Sequence, residues 1–196
     1  ACRWLLAAKR ALCHRAALLV RSDELEARLL LADARTGVKD ETNLAHARTL
    51  PGLLTPALGI EIEEYESLGD VEYAVEGKDP LAGAFTATSY SDWAAPTGAD
   101  VIVRYGTWPV KDFAAVTRHA HGKGHGWYVG TVMKEEAFYD RLVGALLADA
   151  GVSAVVDPPD GVEVSVRQAD GRKLLFVINH TEETQTVSVP AGKDCR

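Results

Sequence analysis

The stretch HAHGKGHGWYVGT, His119 to Thr131, decides how the rest of the chain is read. It packs three histidines, four glycines, a lysine and two aromatics into one segment, and three kinds of chemistry compete for it. A dinucleotide fingerprint sets G-x-G-x-x-G between a strand and a helix. Here Gly122, Gly124 and Gly126 are two apart and a strand follows them. A Walker loop ends in Lys-Ser/Thr, whereas Lys123 precedes Gly124. His119, His121 and His125 could converge across facing strands as metal ligands. No cysteine or carboxylate stands beside them and there is no H-E-x-x-H helix, while zinc takes at least three well-placed ligands. A tight hairpin explains more of the residues. Gly122-Lys123-Gly124 turns the chain, with one glycine in the left-handed region. Lys123 then faces water, Trp127 and Val129 share one face, and Tyr128 takes the other.

Working outward, ADVIVRYG (99–106) and VKDFAAVTRHAH (110–121) read as strands. KEEAFYDRLVGALLADAG (134–151) reads as the strongest helix, with Phe138, Leu142, Ala145 and Leu146 at helical spacing. Glu135 and Glu136 suit its positive end, and Gly151 supplies a left-handed stop. Upstream, residues 1 to 34 read as helical, with Ser22 capping SDELEARLLLADA. Residues 35–56 are polar and irregular, broken by Gly37, Pro51, Gly52 and Pro56. A short helix is predicted over 53–58, stopping at Gly59. GIEIEEYESL (59–68) reads as a short strand with one wet face, and 71–93 as weak strands around VEYAV and AFTAT.

At DPPDG (157–161) adjacent prolines mark a boundary. Beyond it VEVSVRQ alternates, ADGR supplies an Asp-Gly hairpin turn, and KLLFVINH and TQTVSVP follow as strands. These patterns predict an α/β fold class over 1–156 and a small antiparallel β-domain over 157–196. So small a β-unit has little core of its own.

Composition narrows the function. The chain has 196 residues and a net charge of −7, which argues against a general nucleic-acid binder. No run reaches the roughly 18 apolar residues of a membrane span. Cys2, Cys13 and Cys195 form no C-x-x-C pair, so a disulfide scaffold or zinc knuckle is not expected and a reducing, cytoplasmic compartment is preferred. The basic first 21 residues are interrupted by Arg3, Lys9, Arg10 and Arg15, which disfavours a targeting peptide. The absence of an initiator Met suggests a fragment or a processed chain.

The remaining candidates read as surface. Glu61, Glu63, Glu64 and Glu66 are an acidic cluster on a wet strand, with nothing to place a sugar between paired carboxylates. Asp40 and Glu41 lie in a polar loop. No G-x-S-x-G or G-x-C-x-G elbow activates a nucleophile. Asn179-His180-Thr181 matches a glycosylation sequon, relevant only to a secreted chain. Trp93, Trp108 and Trp127 are candidates for an aromatic platform. No catalytic, cofactor-binding or metal-binding residue is assigned, and no cofactor is expected.

Several stretches together resemble one family. ARTGVKDETNLAHARTLPGLLTPALGIEIEEYESL and AAVTRHAHGKGHGWYVGT with the helix ending in ADAGV are similar to the trimerisation domain of glycoside hydrolase family 42 β-galactosidases. GVEVSVRQADGRKLLFVINHTEETQTVSVP resembles that family's small C-terminal β-domain. The resemblance covers roughly residues 35 to 190. It implies a flavodoxin-like or glutamine-amidotransferase-like first domain, incomplete here, self-association as a trimer, and a separate (β/α)8 barrel holding the two catalytic glutamates. It also implies a buried strand before TGVKDETN, where only LLLADAR stands, and further strands upstream. ACRWLLAAKRALCHR does not look like them, as after a truncation or a frame disturbance. The expected function is the non-catalytic oligomerisation region of an enzyme that removes terminal non-reducing β-D-galactose by a retaining mechanism. A carbohydrate-binding or scaffolding module, or a free-standing amidotransferase-like hydrolase, are the alternatives.

Overall fold

A computed structural model describes residues 18–21, 28–39, 44–45, 47–153 and 156–189. The chain divides into two compact units, one within Ala11–Gly151 and one whose described residues lie in 152–189. The larger unit carries β1 (Leu18–Arg21), β2 (Arg28–Asp33), a 3-10 turn (Gly52–Leu54), α1 (Thr55–Leu58), β3 (Ile60–Gly77), β4 (Gly83–Pro96), β5 (Asp100–Tyr105), β6 (Ala114–His121), β7 (Gly124–Val129), β8 (Thr131–Met133) and α2 (Glu136–Asp149). The eight strands form one sheet in the order β1-β2-β7-β6-β5-β3-β4-β8.

Among the described residues the fold is mostly β with few helices, and this corrects the α/β expectation in its detail. Only β2 and β7 run parallel; every other pairing in the sheet is antiparallel. A bridge from Ala94 to Ala114 joins β4 to β6 and closes a ring through β6, β5, β3 and β4. Residues 18–21 and 28–33 are strands, not the predicted helix. Residues 22–27, which held the predicted cap, lie outside the described residues.

The reason is burial on both faces. Leu29 and Leu31 of β2 join the core beneath α2, while Leu30 and Ala32 pack with Leu58 of α1 on the opposite face. A strand covered on both sides reads as a continuous apolar run, and over a few residues such a run cannot be told from a helix. LLLADAR therefore supplies the buried strand that the resemblance calls for. The same alternation runs along β7. Trp127 and Val129 face α2, and Tyr128 faces α1, as the sequence predicts.

β3 is far longer than the ten-residue stretch read as a strand. It pairs with β4 over most of its length, with register shifts between Ile62 and Tyr65 and between Ser67 and Tyr73. Those irregularities break the period of two and left VEYAV looking like a separate weak strand. α1 ends at Gly59, φ 62°, as expected. α2 buries Phe138, Leu142, Ala145 and Leu146, the face read from the sequence. Fully burying Phe138 or Leu142 stabilises by roughly 1.5–3 kcal/mol each. Phe138 meets Phe85 of β4 edge-on, with ring centroids 5.3 Å apart.

The smaller unit holds β9 (Val162–Ala169) and β10 (Arg172–Asn179), an antiparallel pair. Asp170 (φ 51°) and Gly171 (φ 73°) turn the hairpin, the positive-φ pair of a type I′ turn. Val156, Val162 and Val164 form its core, with Leu175 and Val187 packed against it. Of TQTVSVP, read as a third strand, the described residues 184–189 carry no ladder pairing; Val187 contributes packing instead.

Candidate functional site

The glycine-histidine stretch forms the β6–β7 hairpin. His121 pairs with Gly124, so the loop has two residues, Gly122 and Lys123, rather than three. Gly122 sits at φ 59°; glycine with positive φ at the first central position is the mark of a type II′ turn. Gly126 has another task. A Cβ there would lie 2.2 Å from the Ala57 carbonyl oxygen, so its bare backbone admits α1 onto β7. The glycines thus serve turning and close packing.

The three histidines do not gather around a common point. His119 Nδ1 lies 3.2 Å from the Gly98 carbonyl oxygen, and its ring centroid is 6.5 Å from that of His121. His125 turns to the other side, with Nε2 3.0 Å from Arg118 Nη2. A guanidinium only donates, so a hydrogen bond in this contact uses Nε2 as acceptor. Among the described residues no group of three His, Cys, Asp or Glu side chains could hold a metal ion. A cleft of ≈ 430 Å³ lies along this turn, lined by Leu30, Ala57 and residues 121–126.

Beside the hairpin lies a cluster the sequence did not announce. Arg118 of β6 donates to both oxygens of Asp149, from Nε at 2.7 Å and Nη2 at 2.8 Å. Trp127 Nε1 donates to Asp149 Oδ2 at 2.7 Å. Burial would raise the Asp149 carboxyl, but the hydrogen bonds from Arg118 and Trp127 outweigh it and hold it below the usual carboxylate range. Asp149 closes α2, an end where the dipole disfavours a carboxylate; the two donors offset that cost and tie the helix to β6 and β7. A cleft of ≈ 380 Å³ opens here, lined in part by Lys78, Asp79, Asp100 and Arg118.

A second buried group lies on β4. Asp92 is 2 % exposed. Its Oδ2 accepts from the Tyr128 hydroxyl and from the Arg35 backbone N–H at 2.9 Å, while its Oδ1 is without a partner. Desolvation pushes this carboxyl up, against the lowering by Tyr128 and Arg35. Burial also raises the Tyr128 hydroxyl well above its ordinary value, helped by the Asp92 charge. No local motif signals the pair; its members stand 36 positions apart.

The remaining candidates are dispersed. Glu61, Glu63 and Glu64 are exposed on β3. Glu64 accepts from the Tyr65 N–H, and Glu66 lies 3.4 Å from Trp93 Nε1. Asp40, Glu41, Cys2, Cys13 and Cys195 lie outside the described residues. Trp127 is fully buried, Trp93 is half-buried against Phe113 with centroids 5.2 Å apart, and Trp108 is 77 % exposed. The Asn179 side-chain oxygen accepts from the Thr181 N–H and hydroxyl, closing an Asx turn after β10. No helix among the described residues is long and apolar enough to cross a membrane.

These features define a mostly-β module: an eight-stranded sheet in which β2 and β7 are covered on both faces, followed in the chain by a small hairpin unit. The model of the β-galactosidase trimerisation domain matches residues 9–153, and that of the β-galactosidase C-terminal domain matches residues 161–194. The chain belongs to the glycoside hydrolase family 42 β-galactosidases, as their trimerisation and C-terminal region. It is similar to β-galactosidase BgaA of Planococcus sp. (strain 'SOS Orange'), 32% identical over 158 residues, which are 79% of this chain and 23% of that protein. Among solved structures it is similar to the β-galactosidase from Bacillus circulans sp. alkalophilus, with TM-score 0.73 and 27% identity over 81% of this chain and 24% of that one. The Rahnella sp. R3 β-galactosidase gives TM-score 0.72 and 29% identity over 83% and 25%. The chain thus spans about a quarter of the length of the relatives it matches.

Proposed function

We propose that the chain is the non-catalytic assembly region of a β-galactosidase whose full-length form hydrolyses terminal non-reducing β-D-galactosides. In this reading residues 1–156 are the trimerising domain and 157–196 the small C-terminal β-domain. The full-length protein is a cytoplasmic homotrimer, and a barrel outside this chain binds the galactoside. No residue here acts as catalyst, cofactor ligand or metal ligand.

One observation carries the reading: the match to the trimerisation domain runs through nearly the whole larger unit. The side chains agree with it. Glu61, Glu63 and Glu64 point to solvent along one strand, whereas a retaining glycosidase holds two carboxyl groups about 5 Å apart across the sugar. The parallel β2–β7 pair, with α1 and α2 on opposite faces, supports a kinship with the flavodoxin-like and glutamine-amidotransferase-like layers.

The test joins two measurements on the purified chain. Light scattering after size exclusion is expected to report a trimer, and a chromogenic β-galactoside is expected to stay intact. Turnover that Glu61→Gln or Glu63→Gln abolishes would overturn the non-catalytic reading. A monomer at every concentration would overturn the assembly reading.

A further inference from the structure

We infer that the cleft between the Lys78–Asp79 turn and Arg118 is a binding site for a neutral, polyhydroxylated molecule of monosaccharide size. The inference goes beyond the assembly reading and does not depend on it. The cleft measures ≈ 380 Å³, and small-molecule sites run from roughly 300 to 1,000 Å³. Its floor is apolar. Ile102 and Ala145 are buried there, and the Trp127 indole beside them is fixed by its bond to Asp149.

Both lips of the cleft are held in place. On one, the Lys78 N–H donates to the Ile102 carbonyl at 2.9 Å, and the Leu81 N–H donates to the Lys78 carbonyl at 2.8 Å. Leu81 is fully buried, and Arg141 Nη1 donates to the Ala82 carbonyl just beyond it. On the other lip Asp149 takes Nε and Nη2 of Arg118, so Nη1 is the remaining donor of that guanidinium. Lips already fixed lose little freedom when a ligand arrives.

The charges on the lips select the ligand. Lys78 stands next to Asp79 in the chain, and Asp100 is the register partner of Arg118 across β5 and β6. Each lip therefore sets a donor-only cation beside an acceptor-only carboxylate. Lys78, Asp79 and Asp100 are exposed, and no side-chain bond within the described residues engages them. With the signs interleaved, no sector of the rim forms a pole for an anion, for a cation, or for the two ends of a zwitterion. A hydroxyl donates and accepts at once. At either lip it can donate to the carboxylate and accept from the cation. A ring carrying several hydroxyls serves both lips and lays its C–H surface on Ile102 and Ala145.

The test is saturation-transfer NMR on the whole chain, with D-galactose, D-glucose and myo-inositol as probes. Each is titrated to about 100 mM, where a site of millimolar affinity is filled. Transfer to at least one probe is expected. Lys78→Ala and Asp100→Ala should each weaken binding at least about 10-fold, the loss of one hydrogen bond to a charged group. Both side chains are exposed, so circular dichroism should show an unchanged fold. Lys111→Ala, in the loop at the other end of β5, should leave binding as it is. No transfer to any probe overturns the inference. Transfer that survives either cleft substitution also overturns it, by placing the sugar elsewhere. Displacement of the probe by equimolar sulfate or glycine overturns it too, since the cleft then takes an ion or a zwitterion. Light scattering reads the assembly separately. A monomer that binds through Lys78 and Asp100 keeps this inference and removes the assembly reading, and a trimer that binds no probe does the reverse.

Discussion

Asp149, the last residue of α2, receives both guanidinium arms of Arg118 from β6 at 2.7 and 2.8 Å. The helix is thereby fastened at its end as well as along its apolar face. Arg118 is partly exposed and Asp149 more covered, with side-chain exposures of 31% and 15%. Removing one partner leaves a half-buried charge poorly satisfied. Arg118→Ala is expected to cost about 1–3 kcal/mol, read as a lower urea midpoint at unchanged slope.

The same pair sets a pH dependence whose sign is fixed. The Asp149 carboxyl is held below its ordinary value in the folded chain. Its contribution is present above the unfolded carboxylate pKa, about 3.9, and is lost as pH falls through the folded value. Urea midpoints measured between pH 7 and pH 2.5 should therefore fall with acid more steeply for the wild type than for Asp149→Asn. Parallel profiles would show that the carboxylate contributes nothing.

Asp92 predicts the opposite slope. Burial raises its folded-state carboxyl, so the native chain holds that proton to higher pH than the unfolded one. Its contribution is fully favourable below the unfolded pKa and declines as pH rises through the folded value. Asp92→Asn keeps an acceptor for the Tyr128 hydroxyl and the Arg35 N–H. The variant should gain on the wild type as pH is raised from about 4 to 7, again read from urea midpoints. A constant difference across that range would show that Asp92 titrates as if exposed.

How much of this was legible in the sequence depends on how local each signal is. The β6–β7 turn, the α2 face and the Asp170-Gly171 hairpin were legible because each rests on neighbours a few positions apart. β2 was not, because Leu29 to Ala32 are covered on both faces and so lack the alternation that marks a strand. β3 lost its period at its register shifts near Gly69. The Arg118–Asp149 and Tyr128–Asp92 contacts join residues 31 and 36 positions apart, and nothing in either local stretch names its partner. The histidine-glycine stretch reads as a tight turn rather than a metal site, and it does form the β6–β7 hairpin, closed by two residues instead of the expected three.

The glycines of that hairpin give the last prediction, because packing and turn geometry rank them differently from a phosphate cradle. At Gly126 an added Cβ would lie 2.2 Å from the Ala57 carbonyl oxygen and 3.1 Å from its carbon. Both atoms are backbone, so relief requires α1 to move off the sheet. Gly126→Ala should cost about 1–3 kcal/mol, the usual penalty of overpacking. Gly122 has positive φ, but nothing lies within 4 Å of its Cβ position. Gly122→Ala should meet only the left-handed backbone penalty, about 1–2 kcal/mol, and leave α1 in place. Thermal unfolding gives the two costs, and amide exchange across residues 55–59 separates their origins. Protection there should fall for Gly126→Ala beyond its global destabilisation and stay in step with it for Gly122→Ala. Equal local loss in both variants would mean that Gly126 is not the contact on which α1 is seated.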